Sequence, residues 1–322
     1  MSEVKGSGAG RLPQLLLDLA AGREPDDGAM LDEQVLATAM DHRVSGLLWT
    51  WARQRSIDPG PKATLAQYDL YIQAHLMRVW ALLEDCVNRL SAEGIEVATI
   101  KGVTAETRWY SRRGERPCSD VDLVLSPHQL DRAAEVVRLL EPDHPWLDHV
   151  GPLATAGRIQ AVTTHVAGLE VDLHLDLLKL GFPTRQSADL WARTTSYSLP
   201  GGSSVRVLDD TTALVHLLVH LNKDRFQRLL GYADVARVMA AEHVDWARFE
   251  RFLSTEGLLV SALKTLEVVL DELGLPWPAG LSRPRGLRAW WWDRIWPREI
   301  RLRGHEGRLR FRKRQSWMTF LA

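Results

Sequence analysis

The chain begins with two short apolar stripes at helical spacing. Leu12, Leu15, Leu16 and Leu19 form the first, and Val35, Leu36 and Ala39 the second, so residues 11–55 read as helical. Pro59 and Gly60 predict a turn at 57–60. A longer helical pattern follows from about Lys62 to Ala92 and stops at Gly94. The period then shortens. Ile95–Ile100 is β-branched and bounded by Gly94 and Gly102, which predicts a strand, with a helix over about Val103–Tyr110. Val121–Leu125 predicts a second strand, ended by Ser126-Pro127, a cap and first-turn pair opening a helix to about Leu140. Residues 141–157, with three prolines and two glycines, read as loop. Ile159–Val166 and Leu169–Leu175 flank Ala167-Gly168 as a hairpin, and Ser196–Leu199 and Val205–Leu208 flank Pro200-Gly201-Gly202 as another. Asp209 or Asp210 caps a helix from Thr211 to Leu221, and helices continue to about Leu273.

The pattern divides the chain into an N-terminal helical region (1–75), an α/β core (76–208), a C-terminal helical region (209–280) and a tail (281–322). A pure helical bundle is excluded. At 322 residues, 45% hydrophobic and 25% charged, the chain has ordinary globular composition and length for a large core. The net charge of -1 conceals an asymmetry. Arg283–Arg314 holds twelve Lys/Arg against three Asp/Glu, a surplus of nine, so the remainder carries -10. An acidic body is not that of a general nucleic-acid binder, although the tail remains a candidate surface for one. Two cysteines, Cys86 and Cys118, offer no disulfide framework. MSEVKGSGAG contains no apolar signal core, and no apolar run approaches the roughly 20 residues of a membrane span. A cytoplasmic protein without a transmembrane segment is the expectation.

Candidate chemistry lies in the α/β third. Asp120 and Asp122 in SDVDLVL share one side of a strand, because side chains alternate with period two. Alone, the pair is uninformative: a chain of this length carries about one Asp-x-Asp by chance, and two exposed acids on an edge strand fit as well. LEVDLHL adds weight, since Glu170, Asp172 and His174 occupy one face of a strand against Val171, Leu173 and Leu175. That face is either an active-site wall or a solvent-facing one. Lys101-Gly102 follows the Ile95–Ile100 strand, where glycine lets backbone approach a phosphate and lysine supplies a point charge. Arg116, four residues before Asp120, is a further phosphate-neutralising candidate or an ordinary surface ion pair. His216 and His220 share a helix face and could join Asp234 as metal ligands, a set that lacks enough donors for zinc. Arg225 and Arg228 lie between them, as substrate contacts or as exposed helical surface.

Taken together, IKGVTAETRWY, RRGERPCSDVDLVLSPHQLDRA, LEVDLHLDL and LLVHLNKDRFQRLLGYADVA resemble the uncharacterised bacterial nucleotidyltransferase-like proteins of the polymerase-beta superfamily. The resemblance runs from about Cys86 to Met239. It implies an α+β fold, with a polymerase-beta-like nucleotidyltransferase core of mixed twisted sheet and helices flanked by helical regions. It further implies two Mg²⁺ ions held by Asp120, Asp122 and Asp172 as the catalytic carboxylates, and an NTP co-substrate, with ATP expected. Lys101, Gly102 and Arg116 would meet the phosphates, His174 would touch acceptor or phosphate or simply pack, and His220 and Asp234 would line or brace the cleft. Where the wider superfamily has Gly-Ser around the triphosphate, this chain has Lys101-Gly102. The implied reaction moves a nucleoside monophosphate to a hydroxyl or phosphate of a small-molecule or peptide acceptor. Transfer-RNA or protein nucleotidylation, and a catalytically degenerate nucleotide- or partner-binding module, are the alternatives. The tail WWWDRIWPREIRLRGHEGRLRFRKRQSW interleaves tryptophan with arginine, a composition suited to nucleic acid, to an anionic membrane surface, or to a helix closing over the body.

Overall fold

The computed structural model describes residues 12–181 and 183–295. Three short helices lead, α1 (Gln14–Ala21), α2 (Glu33–Asp41) and α3 (Ser45–Ala52), followed by the 34-residue α4 (Pro59–Ala92). The turn expected at 57–60 lies one step earlier. Asp58 accepts from the Gly60 amide and Pro59 takes the first helical position, where its fixed φ and missing N–H cost nothing.

Six strands form one mixed sheet: β1 (Val97–Thr99), β2 (Asp120–Leu125), β3 (Ala161–Val166), β4 (Leu169–His174), β5 (Thr195–Ser198) and β6 (Ser204–Val207). Their order is β3-β4-β2-β1-β6-β5. The pairs β2–β4 and β1–β6 are parallel, and the others are antiparallel. Both hairpins read from the alternation, β3–β4 and β5–β6, are present. Between strands lie α5 (Val103–Trp109), a 3₁₀ turn (Pro127–Arg132), α6 (Ala133–Leu140), α7 (Leu147–Thr155) and α8 (Ser187–Ala192). Ser126 does not cap the segment with its side chain, and a 3₁₀ turn precedes the regular helix. The loop expected at 141–157 is corrected by α7, which runs through Pro152. Burial of Val150 and Ala154 in the core shared with α6 outweighs the lost backbone bond.

The two faces of the sheet serve different cores. Val121, Leu123 and Leu125 of β2 and Val171 and Leu173 of β4 pack with α4, α6 and α7. On the opposite face, Val124, Ala98, Ile100 and Leu208 join a core built from α1–α3 and the C-terminal helices α9 (Asp210–Lys223), α10 (Leu229–Ala240), α11 (Trp246–Glu256) and α12 (Leu259–Leu273). Alternation therefore turns the acids of β2 and β4 toward α9 and α10. Among the described residues no helix is long and apolar enough to cross a membrane.

The start of the basic tail packs on the body. In α13 (Leu287–Ile295), Trp292 is fully buried and meets Phe226 edge-on at 5.9 Å, while Asp293 pairs with Lys264 at 2.8 Å. Of the three readings of the tail, these residues adopt the closing helix; residues 296–322 lie outside the described residues.

Asp209 anchors α9. Its carboxylate accepts from the Thr212 amide at 2.8 Å and takes both ends of the Arg248 guanidinium, one at 2.7 Å. Burial works to raise its pKa, but the Arg248 and Thr212 hydrogen bonds outweigh it and hold the value below the ordinary aspartate level. A depressed carboxylate contributes stability that is complete above the unfolded-state pKa and is lost as pH falls through the folded one. We predict that Asp209→Ala costs about 1–2 kcal/mol at pH 7, read from urea midpoints. The gap from wild type should close as pH drops below the ordinary aspartate pKa; a gap that is flat down to that range would contradict the assignment.

Candidate active site

The site is set by strand register. Parallel pairing of β2 with β4 sets Asp120 opposite Glu170, Asp122 opposite Asp172 and Val124 opposite His174. Adjacent strands lie about 4.8 Å apart, so side chains on one face at matched positions meet. Asp122, Asp172 and His174 each bring a ligand atom within 4.8 Å of the other two. The imidazole Nε2 lies 3.1 Å from Asp122 Oδ1. Asp122 is 2% exposed, and its Oδ2 is buried without a hydrogen-bond partner among the described residues. Asp172 is more open; the Thr163 hydroxyl donates to it at 2.5 Å and Lys179 Nζ lies 3.6 Å away. Asp120 shares the face but stands outside this group of three. Burial, then the neighbouring charge of Asp122, raises the Asp120 pKa above the ordinary aspartate value.

Lys101 reaches into the same cluster. Its Nζ is 3.2 Å from Asp122 Oδ1 and 3.4 Å from His220 Nε2. Burial opposes its charge, but Asp122 and Asp120 outweigh burial and hold its pKa above the usual lysine value. Gly102 follows at φ +67°, a backbone region L side chains rarely adopt, and a Cβ there would stand 3.0 Å from Cys118 Sγ. The tight turn at this position thus depends on glycine.

Arg116 does not act as the free phosphate cation expected of it. Its guanidinium grips both oxygens of Asp234 on α10 at 2.9 and 2.8 Å, and its remaining nitrogen donates to the Gly102 carbonyl at 3.2 Å. Tyr110 donates to the same Asp234 at 2.6 Å. Arg116 and Asp234 therefore brace the Lys101-Gly102 turn from below, across 118 residues of sequence. The loop that carries Arg116 is itself tied down, as Arg112 forks onto Asp69 of α4 and the Gly114 amide donates to Glu106.

Three imidazoles run in file behind the acids. The rings of His174 and His216 are 6.2 Å apart, and those of His216 and His220 are 5.9 Å apart. Burial pushes all three pKa values down, His216 to about 3, so they are neutral near pH 7. His216 Nδ1 contacts the Leu177 carbonyl at 3.0 Å and Asp234 is held by Arg116, so His216, His220 and Asp234 do not assemble as a metal set.

A cleft of about 670 Å³ opens above this floor. Lys101, Gly102, Asp120, Asp122, His220 and Asp234 all line it, whereas Asp172 and His174 are not among its lining residues. Its rim is basic. Arg225 and Arg228 lie there in the connection between α9 and α10, and so do not occupy the exposed helical surface expected for them. Arg225 and Phe226 both adopt positive φ, and the fully buried Phe226 pins that turn into the core. Two further cations escaped the sequence reading. Arg43 reaches the cleft from the α2–α3 corner, where His42 accepts from the amides of Leu229 and Leu230 and so locks that corner to the start of α10. Lys179 is set beside Asp172 by a turn in which Asp176 accepts from the amides of Leu178, Lys179 and Thr184. Neither position carries a local signal, because both are placed by contacts distant in sequence.

The architecture is thus an α+β fold whose mixed sheet presents paired acids beneath a basic cleft. The chain belongs to the family described as uncharacterised nucleotidyltransferase, whose model matches residues 30–271, well over half its length. Among curated proteins none matches. A solved structure, the antigenic nucleotidyltransferase-like protein from Paracoccidioides brasiliensis, is similar at 16% identity, covering 62% of this chain and 93% of that one with a TM-score of 0.33. That likeness is too distant to inform any detail of the site.

Proposed function

We propose that this protein transfers a nucleoside monophosphate from a nucleoside triphosphate to a hydroxyl or phosphate group of a small-molecule or peptide acceptor. The observation that carries the reading is the in-register parallel pairing of β2 and β4, with Asp122 beside Asp172 under a basic cleft. Family membership supports the reaction class. The donor set fits a divalent cation: two carboxylates and a neutral imidazole converge, and one buried carboxylate oxygen lacks any other partner. Asp122 and Asp172 would hold it, and Asp120 would complete the two-ion set that the resemblance implies, with Mg²⁺ and ATP as the expected ion and donor. Divalent ions so held polarise phosphoryl oxygen and lower the pKa of an acceptor hydroxyl. Lys101 would neutralise phosphate charge from the floor, while Arg225 and Arg228 would do so from the rim. Asp172, the more open carboxylate of the pair, would take the acceptor proton.

One observation favours a second reading. Lys101 and Lys179 already lie against Asp122 and Asp172, as in a module that binds nucleotide without turning it over. The deciding experiment is incubation of the full chain with each α-³²P-labelled NTP, Mg²⁺ and fractionated metabolite, peptide and RNA pools. Transfer of label to one pool is expected from wild type and not from Asp120→Ala/Asp122→Ala. Saturable NTP binding without transfer to any pool would leave the binding module; equal labelling by both proteins would remove the proposed chemistry.

A further inference from the structure

We propose that the cation centre is a mixed nitrogen-and-oxygen site in which His174 is a direct ligand beside Asp122 and Asp172, and that it selects Mn²⁺ over Mg²⁺. The proposal shares with the transfer reading only the seat of the ion.

The argument begins with the histidine tautomers. His216 Nδ1 lies 3.0 Å from the Leu177 carbonyl, which can only accept, so in the neutral ring Nδ1 carries the proton and Nε2 is a bare acceptor. That Nε2 is buried and unpartnered among the described residues, as is Nδ1 of His174, whose ring is 6.2 Å away. The two orphans complement one another if His174 carries its proton on Nδ1, with a water able to bridge the gap. This assignment leaves Nε2 of His174 as a lone pair. It lies 3.1 Å from Asp122 Oδ1, which is also an acceptor. Two lone pairs at that distance repel unless a cation lies between them. Asp172 closes the same triangle, and the unpartnered Oδ2 of Asp122 supplies further donor capacity.

Donor chemistry then selects the ion. Mg²⁺ prefers oxygen and sheds water reluctantly, so an imidazole in its shell is a poor exchange. Mn²⁺ accepts carboxylate and phosphate oxygen, and first-row divalent ions bind imidazole nitrogen more readily. A site with two carboxylates and one imidazole suits Mn²⁺ best.

The test uses the full chain with Mn²⁺ as the sole added metal. Pulsed EPR of bound Mn²⁺ should show electron-spin-echo modulation from a directly coordinated ¹⁴N. Mg²⁺ should displace Mn²⁺ only at about tenfold excess or more. His174→Gln should abolish the modulation and weaken Mn²⁺ at least about tenfold, while Mg²⁺ affinity changes less than about threefold. The proposal is overturned if wild-type Mn²⁺ shows no ¹⁴N coupling, if equimolar Mg²⁺ displaces half of it, or if no Mn²⁺ binds stoichiometrically. The wild-type readouts decide even where the variant fails to fold. Nitrogen-coupled Mn²⁺ in a protein that transfers no nucleotide would support this inference while refuting the reaction; turnover on an all-oxygen centre would do the reverse.

Discussion

Asp122→Asn is expected to lower nucleotidyl transfer by at least about a thousandfold, on the order of 4 kcal/mol of transition-state stabilisation. Asp122 is the carboxylate that every other member of the floor touches. Lys101 lies 3.2 Å from its Oδ1, His174 3.1 Å from the same atom, and Asp172 stands opposite across the strand pair. Asparagine keeps the shape but replaces one anionic oxygen by an NH₂ donor, which would face either the Lys101 ammonium or the cation seat. Asp120→Asn serves as the internal comparison. Asp120 lies outside the three-ligand group and is half-buried, so a smaller loss, about ten- to a hundredfold, is expected. Single-turnover release of pyrophosphate from a labelled NTP measures both without knowing the acceptor's full identity. Near-wild-type rates for Asp122→Asn would show that the acids do not take part in the chemistry.

The sheet was legible because its signals are local. Alternation in LEVDLHL and SDVDLVL comes from the two-residue period of a strand, and Ala167-Gly168 marks the turn between β3 and β4, where both residues adopt positive φ. The same alternation puts Glu170, Asp172 and His174 on one face, away from the Val171 and Leu173 core. What could not be read was which strands would be neighbours. Nothing in either segment specifies that β2 and β4 pair in parallel with Asp122 opposite Asp172; the intervening β3 hairpin and the helices on both faces decide that. Spacing likewise could not show that His174 joins the acids, because packing and ligation are identical at the level of periodicity. The helix α7 was missed because Pro152 reads locally as a breaker, while its support is tertiary. Arg225 and Arg228 were misplaced because two successive non-glycine residues in left-handed conformation, Arg225 and Phe226, are stabilised by the buried Phe226 ring and not by any turn motif.

The largest stability effect is expected at the Arg116–Asp234 pair. Both side chains are under a tenth exposed, and the pairing is bidentate, with Tyr110 as a third partner. Two charges taken from water gain little net stability when well matched, but either one left alone incurs its full desolvation cost. Arg116→Ala should therefore destabilise the fold by about 3–5 kcal/mol, with Asp234 stranded beside only a tyrosine hydroxyl, and Asp234→Ala should cost a similar amount by stranding the guanidinium. Replacing both together, Arg116→Met with Asp234→Leu, should recover most of the loss, to within about 2 kcal/mol of wild type, since no buried charge then remains. Guanidinium chloride midpoints for the wild type, the two single variants and the double variant close the cycle. The recovered double variant separates folding from function. Gly102 loses the guanidinium that holds its carbonyl, so Lys101 is no longer fixed against Asp122, and NTP turnover should stay depressed even though stability returns. Additive single-variant losses would mean that the pair is not buried as a unit, and full activity in the stable double variant would mean that the turn positions Lys101 without it.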